Sequence, residues 1–98
     1  MTTQELYYQL KQIELFKDKI SLLKKDDPEN IFFGDSIKLY FHEHLTLLIV
    51  VEEMHQECCI DYNRLTHCHI EAEEILDELM YLAKGNLIFI GWGEIIEK

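Results

Sequence analysis

The feature that most constrains this chain is the unbroken apolar run Leu47 to Val51, extended by Leu45 and stopped by Glu52 and Glu53. A segment with no polar side has to be buried all round, so it marks an element at the centre of the molecule. It is far shorter than the roughly 18 residues of a membrane span. Asp35 or Ser36 can cap a helix by accepting an orphan backbone N–H, and the run then reads as the middle of a central helix from Ile37 to about Gln56. The β-branched Ile49, Val50 and Val51 leave a strand open here, because short apolar runs satisfy both periods.

With 98 residues, 48% of them hydrophobic, the chain can close one core and has no room for a second, so residues 1–98 read as a single domain. Met1 to Leu10 lacks the basic start and continuous apolar stretch of a secretory signal, and the expected location is cytoplasmic. The odd number of cysteines, three, fits reduced thiols better than a secreted disulfide framework.

Upstream of the run, Leu6, Leu10, Ile13, Phe16, Ile20 and Leu23 recur at three- and four-residue steps. They predict a long amphipathic helix over residues 3–25. Tyr8, Leu15 and Leu22 widen its apolar stripe enough to pack on a symmetry mate, and a homodimer is expected. Residues 26–35, with Asp26-Asp27-Pro28 and Gly34, break the pattern as a loop. Ile31, Phe32 and Phe33 are expected to pin that loop to the core.

Downstream, Cys58 to Ile60 suits a short strand. Asp61 suits an N-cap for a helix from Tyr62 to about Cys68. A turn then leads into a helix from Glu71 to Lys84, whose first-turn acids favour the helix dipole and which Gly85 ends. Leu87 to Ile90 and Glu94 to Ile96 read as a β-hairpin through Gly91-Trp92-Gly93.

Ile60-Asp61 and Leu65 before the turn, Ile70 in it, Ile75, Leu76 and Leu79 after it, and Gly85-Asn86-Leu87-Ile88 beyond make this order similar to a winged helix-turn-helix. The resemblance covers about residues 45–98. The expected fold class is thus mainly α with a small β-hairpin, a winged helix-turn-helix preceded by a long N-terminal helix, with residues 36–98 as the winged-helix part.

In DNA-binding members of that superfamily the second helix of the motif presents basic and amide groups to the major groove. The matching helix here carries Glu71, Glu73, Glu74, Asp77 and Glu78 against a single Lys84. The net charge is −10, and residues 39–98 hold twelve acidic side chains against three basic ones. Phosphates are held mainly by Lys and Arg, so nucleic acid is disfavoured and a basic protein is the expected partner. Those five acids, with Trp92 as a rigid aromatic anchor at the hairpin tip, are the candidate partner-binding residues. The alternatives are a dimeric transcriptional regulator that aligns Arg64 and the N-terminal lysines on DNA, and an acidic inhibitor or DNA mimic.

Five histidines and three cysteines lie between His42 and His69. Of these, His55, Cys59, His67 and His69 make the best metal-ligand arrangement, since imidazole and thiolate are the usual zinc ligands. There is no CxxC and no HExxH, and burial of the cysteines with capping by the histidines is the preferred reading. No cofactor is expected. Neither a nucleophile motif nor a phosphate loop is present, and the chain reads as non-enzymatic.

Overall fold

The structure, a computed structural model, describes the chain apart from residues 43–44, 63–64, 85–86, 92–93 and 98, and apart from the side chains of residues 41–45, 62–65 and 82–98. Helix α1 (Thr3–Lys11) is followed by strands β1 (Ile20–Leu23), β2 (Ser36–His42), β3 (Leu45–Glu52), β4 (Glu57–Tyr62) and β5 (Leu65–Glu71). A single 3₁₀ turn (Ala72–Glu74), helix α2 (Ile75–Lys84) and strands β6 (Leu87–Gly91) and β7 (Glu94–Glu97) complete the chain.

Strands β1 to β5 form one antiparallel sheet in chain order, and β6 and β7 pair as a separate hairpin. The fold is therefore built mainly on a five-stranded sheet with two short helices. It is neither mainly α nor a winged helix-turn-helix.

The apolar run is central, but as the middle strand. Leu47, Ile49 and Val51 point to one face of β3 and are buried, while Leu48 and Val50 point to the other and are half-buried. A strand buried on one face and half-buried on the other reads as a near-continuous apolar run, which is why the segment lacks alternation. The supposed helix from Ile37 to Gln56 is instead β2, β3 and the turn of residues 53–56. The register puts Ile49 opposite Ile37 on one side and Ile60 on the other, so these three β-branched residues form a cross-strand ladder that a helix could not offer.

The long N-terminal helix is also corrected. Thr2 caps α1 by accepting the Glu5 N–H at 3.0 Å, and Leu6 and Leu10 are fully buried. The chain then leaves the helix through tight turns, with Phe16 N–H and Lys17 N–H both donating to Ile13 O at 2.9 Å. These turns drop Phe16, 1% exposed, into the core. Ile20 and Leu22 then pair opposite Leu39 and Ile37. Ile13, Phe16, Ile20 and Leu23 had matched a helical stripe, but Ile20 and Leu22 equally match a strand, and pairing with β2 decides between them.

The predicted helix from Tyr62 to Cys68 is the end of β4 and the start of β5. Both helices lie on one face of the sheet. Leu6 and Leu10 of α1, with Ile75 and Leu79 of α2, join Ile37, Leu39, Leu47, Ile49, Cys58 and Ile60 in a single core. Thr3 anchors α1 to the sheet: its Oγ1 accepts the Val51 N–H at 3.0 Å, a group beyond the start of β2 that has no strand partner on that side.

Candidate functional site

The face of the sheet turned away from the helices carries the remaining chemistry. Near the start of β2 residues 24–35 fold against it, Asn30 meeting Ser36 and Glu29 meeting Lys38. Asn30 organises that segment: its Nδ2 donates to Lys24 O at 3.0 Å and Gly34 O at 2.8 Å, and its Oδ1 accepts from Phe32 N–H and Ser36 Oγ, both at 2.9 Å. The loop is thus held by an amide, with only Phe32 of its apolar trio half-buried. Ile31 is half exposed and Phe33 fully exposed, so the expectation that the three residues pin the loop together is corrected. Lys38 ion-pairs with Glu29 and lies over the Tyr40 ring at 5.1 Å. The hydrogen bond to Glu29, and then that to Tyr40, raise its pKa above the ordinary lysine value.

At the far end of the same face the sheet becomes acidic. The register sets Glu52 of β3 directly opposite Glu57 of β4, and Glu57 opposite Glu71 of β5. Residues paired this way share a face with Cβ atoms about 5 Å apart, and like charges so placed destabilise a sheet. Glu57, in the middle, is also the most enclosed, its side chain 29% exposed against 51% for Glu52. Two histidines flank the row, His55 Nδ1 at 2.6 Å from Glu52 Oε1 and His69 Nδ1 at 3.2 Å from Glu57 Oε1. Glu53, Glu73 and Glu74 continue the acidity as exposed neighbours. An open cleft of about 400 Å³ lies between His55, Gln56, Glu71 and Glu73.

Of the predicted partner-binding acids, Asp77 and Glu78 sit on the expected last helix, while Glu71, Glu73 and Glu74 lie before it. Glu71 ends β5, Glu73 and Glu74 occupy the 3₁₀ turn, and Asp77 and Glu78 are exposed on the first turn of α2. No recognition helix carries them. Trp92 and Arg64 lie outside the described residues. Glu52 and Glu57 are the members the sequence reading missed, because they join Glu71 only through strand register.

The metal candidates do not converge. Cys59 is joined to Cys68 in a disulfide across β4 and β5, Cα atoms 4.1 Å apart, which corrects the expectation of reduced thiols. His55 and His69 are taken up by different glutamates, and His67 sits opposite Ile60 in the ladder. Among the described residues no group of three or more ligating side chains could hold a metal ion. Nor is any helix there long and apolar enough to cross a membrane.

The bridge occupies an irregular stretch. Cys58 pairs with Ile70 and Ile60 with His67, so Cys59 alone spans the place of both Cys68 and His69. His69 takes up the extra residue with φ of 68°, in the left-handed region. Cys58 points the opposite way, into the core, and is fully buried. Burial pushes its thiol up to about 11, which leaves it protonated and poorly nucleophilic. No family model matches the chain, and neither a curated protein nor a solved structure matches it.

Proposed function

We infer that the chain acts by binding a basic protein segment with the acidic end of the sheet face turned away from its helices. The observation that carries this reading is the opposed row Glu52, Glu57 and Glu71. Each pairing of like charges costs the isolated fold stability, and a lysine- or arginine-rich partner removes that cost on binding while gaining charge-assisted contacts. His55 and His69 meet Glu52 and Glu57, and like charges set opposite one another across strands tend to mark functional surface. The net charge of −10 extends the attraction beyond the site and favours fast encounter at low salt.

The test separates stability from binding. In the double variant Glu57→Gln, Glu71→Gln, the thermal midpoint should rise by a few degrees as the repulsion is removed, a change on the order of 0.5–1 kcal/mol. Affinity for a polylysine probe, measured by titration calorimetry at low salt, should fall about tenfold. Glutamines that leave polylysine affinity unchanged at every salt concentration would sink the reading.

A further inference from the structure

We propose that the Cys59–Cys68 bridge is a reversible dithiol–disulfide site that takes a dithiol reductant and, by opening, releases the acidic row. The proposal rests on the reading of that row as the binding surface. Its geometry comes from four features that meet at one place. Among the described residues, strand β5 is an edge of the sheet and pairs with β4. Its ladder is interrupted between the Cys58 and Ile60 pairs. His69 sits at φ of 68°, a conformation that disfavours a non-glycine residue. Just beyond, Glu57 and Glu71 are held face to face. Each of the last three weakens β5, and the covalent link crosses the two strands where the register shifts.

The bridge also lies on the acidic face. Cys59 is two residues from Glu57 along β4 and pairs opposite Val50, so it shares the side of the sheet that the helices leave free. Both sulfur-bearing residues are half-buried, which leaves a path for a reductant. The neighbouring Cys58 is fully buried on the opposite face, so exchange stays confined to the one pair. A thiolate of the reductant attacks one sulfur of the bridge, and the other sulfur leaves as a thiolate and takes a proton. The second thiol of the reductant then attacks the mixed disulfide. Cys59 and Cys68 end as thiols, the reductant ends as its own disulfide, and two electrons and two protons have passed to the protein.

With the bridge open, β5 is held by an interrupted ladder and by the Thr66–Asp61 and His69–Glu57 side-chain contacts, and repulsion pushes Glu71 away from Glu57. The experiment compares the whole chain, oxidised and after treatment with dithiothreitol, by amide hydrogen exchange and by polylysine titration. Alkylation of the denatured oxidised chain should modify Cys58 alone, and after dithiothreitol all three cysteines. Reduction should speed exchange of the β5 amides about tenfold, leave the central β2 and β3 amides unchanged, and weaken polylysine binding. The Cys59→Ser, Cys68→Ser variant should behave as the reduced form under oxidising conditions, and Cys58→Ala should keep the full response. Three alkylatable cysteines after equilibration with oxidised glutathione would overturn the proposal. So would a bridge that dithiothreitol cannot open in the folded chain, or β5 exchange and polylysine affinity equal in both forms. Failure of polylysine to bind either form removes the functional reading alone, and β5 exchange still decides whether the bridge works as a switch.

Discussion

Gln56 joins the most separate parts of the molecule through one side chain. Its Oε1 accepts from the Met1 amino group at 2.6 Å, and its Nε2 donates to Glu53 O at 2.8 Å and to Met1 O at 3.2 Å. Its backbone carbonyl takes the Ala72 N–H at 2.9 Å. It does so at φ of 51°, where a side chain is strained. Gln56→Ala keeps the strain and loses the three side-chain bonds, so urea unfolding should show a loss of about 1–2 kcal/mol. Gln56→Gly loses the same bonds but relieves the backbone, and should fall short of wild type by about 1 kcal/mol less than Ala. Cys58 supplies a pH-dependent counterpart. Its folded-state pKa, near 11, lies above the ordinary 9.0, so burying the neutral thiol stabilises fully below pH 9 and the benefit is lost as pH rises through 11. Between those limits wild type should lose on the order of 2 kcal/mol more than Cys58→Ala, measured by denaturant unfolding at each pH.

Among the elements, the segment of residues 24–35 shows how a stretch without regular structure is made rigid. Four hydrogen bonds converge on the Asn30 amide, and Asp35 adds an acceptor for the Lys25 N–H at 3.2 Å and an ion pair with Lys24 at 3.6 Å. Asn30→Ala leaves Ser36, which is fully buried, without its hydroxyl's acceptor. The expected loss is about 2–3 kcal/mol by thermal unfolding, with faster amide exchange confined to this segment and the β1–β2 pair. Asn30→Asp keeps the two acceptor functions and loses the donors, and should fall between alanine and wild type. The helices depend on a different interaction, the burial of Leu6, Leu10, Ile75 and Leu79 against one sheet face.

At the scale of the whole molecule, charge and fold oppose each other. The net negative charge concentrates after residue 38, where basic side chains are few, and the sheet brings three of the acids into a line. Raising salt screens that line, so added sodium chloride should raise the wild-type thermal midpoint, and should do so less in the Glu57→Gln, Glu71→Gln variant. The same salt should weaken capture of a basic partner. Opposite responses of folding and binding to ionic strength are the signature of a surface whose repulsion a basic partner relieves.

Much of this was legible from the residues in order. The central place of Leu47 to Val51, the loop over residues 26–35, the last helix up to Lys84, the terminal hairpin and the uneven charge all follow from local pattern, because local pattern records which residues avoid water and where the backbone must turn. What the pattern could not record is which partner each segment meets. Ile13, Phe16, Ile20 and Leu23 fit a helical stripe while Ile20 and Leu22 fit a strand, and Ile37 to Gln56 is apolar enough for either. Only non-local pairing with neighbouring strands separated those outcomes. The row of Glu52, Glu57 and Glu71 and the Cys59–Cys68 bridge arise from the same cause. Register across the sheet is a property of two segments at once, and only the tertiary structure decided it.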